Sequence, residues 1–103
     1  MQQLHGADIL WRDVSGAVAI WLGGEAERAV YPSYNNAGAP VNLSWQIQGA
    51  VDYNGDGRAD ILWRHSDGRL AIWFMAGGRF LNDASPRTVD PSWQIKGVFS
   101  HRR

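Results

Sequence analysis

Apolar residues fall in short runs with a two-residue beat, separated by turns rich in glycine and aspartate; this is the pattern of strands rather than helices. Leu70, Ile72 and Phe74 alternate with Ala71, Trp73 and Met75, while Ile61 and Trp63 point one way and Leu62 the other. Both faces are therefore apolar, and such a sheet has to be covered on both sides. The pattern predicts strands from Trp45 to about Tyr53, from Ile61 to Arg64, from Leu70 to Met75, and a weak outer one near Arg79 to Leu81. Ser66-Asp67-Gly68 and Gly77-Gly78 supply the intervening turns, since glycine tolerates the positive φ that tight hairpins demand.

The pattern repeats. Ala7-Asp8-Ile9-Leu10-Trp11-Arg12 recurs 52 residues on as Ala59-Asp60-Ile61-Leu62-Trp63-Arg64, and Gly16 with Ala19-Ile20-Trp21 recurs as Gly68 with Ala71-Ile72-Trp73. Ser44-Trp45-Gln46-Ile47 recurs 48 residues on as Ser92-Trp93-Gln94-Ile95, because the intervening loop is four residues shorter. A period near 50 with several strands per unit predicts an all-β chain of two four-stranded β-propeller blades. The chain opens on a second strand and ends on a first strand, Trp93 to about Phe99. Repeat 1 is thus residues 1–43 together with a strand at 92–100 supplied across chains, and repeat 2 is residues 44–91. Two blades cannot close a ring, so the expected partner is the chain itself: a homotrimer of six blades or a homotetramer of eight, joined by strand exchange. A piece of a larger propeller is the alternative.

Composition narrows the function. The chain of 103 residues is 45% hydrophobic and 19% charged, which suits a folded domain. Ten basic and ten acidic residues balance, so a nucleic-acid partner lacks its electrostatic drive. No apolar stretch approaches the ~20 residues of a membrane-spanning helix, and the absence of cysteine removes disulfides, thiolate zinc and a cysteine nucleophile. No nucleophile elbow, paired-histidine metal site, P-loop or dinucleotide fingerprint occurs, and His65-Ser66-Asp67 are adjacent turn residues that do not converge as a triad. The reading is non-enzymatic.

One stretch carries chemistry. Asp52-Tyr53-Asn54-Gly55-Asp56-Gly57-Arg58-Ala59-Asp60 places side-chain oxygens at loop positions one, three, five and nine, with the Arg58 carbonyl available at seven. That donor set suits Ca²⁺, which takes six to eight oxygens. An EF-hand is excluded, because Trp63 stands at position twelve and both flanks are strands. In the first repeat only Asp8 aligns, with Asp60, so one site per chain is expected. The competing reading is an Asx-rich turn without metal.

This stretch, the following Gly68-x-x-Ala71-Ile72-Trp73 and then Ser92-Trp93-Gln94-Ile95 resemble the FG-GAP or VCBS-type repeat of integrin-α-like β-propellers. Residues 52–75 are the specific part of the resemblance and 23–43 the least typical. It implies a propeller whose calcium loop joins the first and second strands of a blade, with ligands Asp52, Asn54, Asp56, Arg58 and Asp60. It also implies an extracellular setting, although residues 1–10 contain no signal-peptide pattern.

A ring of repeated blades offers the same pocket many times, which suits a multivalent lectin. The expected ligand face carries Trp45 and Trp93 at the starts of first strands, Arg12 and Arg64 at the ends of second strands, and Tyr31, Tyr34 and Asn35 in the adjoining loop. Aromatic walls with a few placed polar groups fit a sugar. Trp11, Trp21, Trp63 and Trp73 are expected in the core. A structural or protein-interaction propeller is the alternative, and the acceptor-like Asn42-Leu43-Ser44 is discounted as a glycosylation site.

Overall fold

The computed structural model describes residues 8–33, 40–53, 55 and 59–99. They form two antiparallel meanders, one per repeat. The first has β1 (Ile9–Arg12), β2 (Val18–Trp21) and β3 (Ala29–Val30) in that order, and the second has β4 (Trp45–Val51), β5 (Asp60–His65), β6 (Leu70–Ala76) and β7 (Arg79–Ala84). The repeat is visible in the ladders: Trp11 faces Ala19 as Trp63 faces Ala71, and Arg12 faces Val18 as Arg64 faces Leu70.

The hairpins between these strands close the same way. Gly16 donates its N–H to the Asp13 carbonyl and Gly68 to the His65 carbonyl, both at 2.9 Å. Their φ values of 99° and 100° lie where side-chain-bearing residues are strained. A Cβ at Gly16 would also overlap the Val41 carbonyl oxygen, and one at Gly68 the Val89 carbonyl oxygen. The glycines thus let the segment entering each first strand lie directly on the turn.

A single apolar cluster spans both sheets: Val18 and Ile20 of the first pack with Ile61, Trp63, Ala71, Trp73 and Met75 of the second. The strict alternation along β6 buries Ala71, Trp73 and Met75, as its period of two requires. Trp63 and Trp73 stack at 5.0 Å, and Trp11 and Trp21 repeat that contact at the same distance. Their environments nonetheless differ, since Trp63 is 1% exposed and Trp11 46%. Trp63 has β4 on its outer side, whereas β1 is an edge strand.

Three expectations need correction or refinement. The outer strand of the first repeat is only two residues long. Gly23 and Gly24 do not form the tight hairpin made by Gly77 and Gly78, because two 3-10 turns, Leu22–Gly24 and Ala26–Arg28, intervene. The second outer strand runs further than expected, to Ala84, past a bulge between Phe74 and Met75. Residues 93–99 form no ladder within the chain; instead Val98 lies against β4 at Gly49, where a Cβ would come 2.8 Å from Val98 Cγ2.

Candidate functional site

The two repeated arginines are brought to the two first-strand tryptophans, through the backbone. Arg12 sends Nη1 to the Trp45 carbonyl at 2.8 Å, Nη2 to the carbonyls of Val41 at 2.9 Å and Asn42 at 3.2 Å, and Nε to Gly16 at 3.0 Å. Arg64 repeats this on Trp93 at 2.8 Å, Val89 at 2.9 Å and Asp90 at 3.1 Å, with its Nε buried and without a partner among the described residues. Asn42 and Asp90 in turn cap Ser44 and Ser92 N–H at 2.8 and 2.9 Å, making the same Asx turn twice. Planar guanidinium with several fixed donors suits this gathering of carbonyls, and a lysine cannot reproduce it. Arg64→Lys is therefore expected to lower stability by about 1–3 kcal/mol in urea unfolding. Lost binding at unchanged stability would make Arg64 a ligand residue instead.

The tryptophans differ. Trp45 is half-buried, with His65 edge-on at 4.8 Å and the Arg69 guanidinium 5.2 Å over its ring. Trp93 is 71% exposed and borders a cavity of about 400 Å³ with Gln46, Gln48, Arg64, His65 and Gln94. The signal for these glutamines is that Gln46 recurs as Gln94 beside the repeated tryptophans, while Lys96 stands where Gln48 would recur; their amides are the donor-acceptor groups a hydroxyl-rich ligand uses. Tyr31 is exposed at the far end of the first sheet, while Tyr34 and Asn35 lie outside the described residues. His65, Ser66 and Asp67 form a turn: His65 Nδ1 sits 2.9 Å from Asp67 Oδ1, whose carboxylate also holds Arg69 Nε at 2.9 Å.

Of the expected metal ligands, Asp52 and Asp60 are described, whereas Asn54, Asp56 and Arg58 lie outside the described residues. Asp60 is fully buried; Oδ1 accepts the Met75 N–H at 2.9 Å and Oδ2 the Tyr53 N–H at 3.0 Å. Asp8 repeats the first bond, accepting from Gly23 at 2.8 Å. Asp52 Oδ1 accepts from the Gly55 N–H, three residues on, at 2.8 Å. Among the described residues no lysine or arginine pairs with Asp60. A buried carboxylate with two N–H bonds and no countercharge is costly, and each of its oxygens keeps a second acceptor position. Burial, and then the Asp60 charge, pushes the Tyr53 phenol up from its ordinary pKa. No group of three metal-ligating side chains is gathered among the described residues.

Comparison with models of protein families, with curated proteins and with solved structures found no match.

Proposed function

We propose that this chain is the subunit of a closed, calcium-binding β-propeller of FG-GAP or VCBS type. It assembles from three or four copies and displays carbohydrate sites at each sheet junction without catalysing a reaction. One observation carries the assembly. β1 is an edge strand whose sequence repeats β5, and residues 93–99 repeat β4, the strand that pairs with β5. Carrying over the β4–β5 register by the repeat sets Gln94 of one copy opposite Arg12 of the next, Ile95 opposite Trp11, Gly97 opposite Leu10 and Val98 opposite Ile9. This pairing covers the exposed edge of Trp11 and Ile9, which as an open edge invites aggregation.

Calcium in the loop from Asp52 to Asp60 supplies the positive charge that the buried Asp60 lacks, and ties β4 to β5. The carbohydrate reading rests on Trp93 with its neighbouring glutamines, a wall and hydrogen-bonding set repeated around a ring.

The native mass of the purified protein, taken with calcium and with a chelator, tests this. A discrete trimer or tetramer is expected, and a monomer at all concentrations refutes it. Calcium should raise the melting temperature, and Asp56→Ala should abolish that rise; identical melting curves would leave the loop a metal-free turn.

A further inference from the structure

A second cavity, of about 300 Å³, is bordered by Trp45, Arg69, Ser85, Arg87 and Thr88. We propose that it binds a sugar carrying a carboxylate, a hexuronic acid or similar acidic pyranose, with Arg69 and Arg87 on the carboxylate. This deepens the carbohydrate reading above and rests on it, but the residues all belong to one chain and need no assembly.

Arg69 is held ready for an anion. Its guanidinium lies over the Trp45 ring at 5.2 Å, and Asp67 takes only its Nε, at 2.9 and 3.1 Å. The Arg69 backbone N–H holds the Asp67 carboxyl below the ordinary range, so this anchor stays charged. The two Nη groups have no partner among the described residues, and their outer edge is the one that receives a carboxylate in a two-bond fork. Arg87 has no ion pair among the described residues. Two guanidinium groups thus border the cavity, and among the described residues no carboxylate lines it, leaving an excess of positive charge in its wall. Ser85 and Thr88 add hydroxyls able both to donate and to accept. The volume is at the small end of ligand pockets, which suits one monosaccharide.

The repeat separates this chemistry from the needs of the fold. The first repeat makes the same glycine hairpin with Ala17 where Arg69 stands, and its sequence has Ala39 and Pro40 where Arg87 and Thr88 stand. The hairpin does not require a basic residue there, so the arginines of the second repeat are additions to it. One acidic-sugar site per chain follows.

The test is a titration of the full protein, by calorimetry or NMR, with D-glucuronate, D-glucose and acetate. Glucuronate should bind at least about tenfold more tightly than either of the others, and Arg87→Ala should weaken it about tenfold with an unchanged melting temperature. Arg69→Ala should act in the same direction, and Arg69→Lys should recover only part of the loss because the fork is gone. Glucose binding as well as glucuronate, acetate binding as well as glucuronate, or an Arg87→Ala protein that binds normally would each overturn the proposal. Glucuronate silence alongside binding of neutral glycans would overturn this site and leave the carbohydrate reading standing. Silence of every glycan on an array would overturn both.

Discussion

Removal of residues 93–103 is expected to abolish the discrete oligomer and leave monomer or aggregate. The deleted segment is the one whose sequence matches β4, and without it β1 keeps an unpaired row of N–H and C=O groups in water. A single substitution should act nearly as strongly: Ile95→Pro takes away one ladder N–H at the centre of the paired stretch. The register itself is testable, because Ile47 faces Trp63 in the second sheet and the repeat therefore puts Ile95 opposite Trp11 of the next copy. A Trp11→Cys, Ile95→Cys protein should form an intermolecular disulfide under oxidising conditions and run as a covalent ladder in denaturing gels. An intact oligomer after truncation, or the absence of any cross-link, would rule out this joint.

Gly68→Ala should be strongly damaging, costing about 3 kcal/mol or more. Its φ of 100° is strained for alanine. The added Cβ would also meet the Val89 carbonyl oxygen, a backbone group held in place by its own bond to Arg64 at 2.9 Å. Gly77 is the control. It has φ 60° but open space where a Cβ would go, so Gly77→Ala should cost only about 1–2 kcal/mol. Urea unfolding of the two proteins gives the comparison, and equal losses would show that backbone conformation alone, not the close approach of Val89, demands glycine at the hairpin.

The strands were legible because period-two alternation, glycine turns and an internal repeat agreed with one another; β4 to β6 fall close to where that agreement predicted them, and β7 starts at the expected Arg79 but runs three residues further. The first outer strand departs from the second although Gly23-Gly24 resembles Gly77-Gly78 in sequence, because 3-10 turns at Leu22–Gly24 and Ala26–Arg28 intervene. Stacking of a strand-end arginine on tryptophan is a reading the sequence allows, and Arg12 lies 4.9 Å over the Trp63 ring, but the gathering of carbonyls by Arg12 and Arg64 was not legible. An arginine at a strand end has the same appearance whether it faces a ligand or folds back on carbonyls, and only the position of Val41, Trp45, Val89 and Trp93 decides between them. Arg69 and Arg87 were missed for a related reason, since a repeat search rewards identity while this pair is a difference between the copies.

The arginine clamps also bear on how the molecule comes apart. Arg12 belongs to one sheet and grips the segment entering the next, so each sheet is stapled to its successor rather than merely stacked beside it. In a linear array of such units, fraying starts at the terminal member, which lacks one neighbour. A ring has no terminal member. In the ring proposed above, with every staple engaged, loss of any one unit strains two others, and unfolding should be all-or-none across that assembly, with a midpoint that rises with protein concentration.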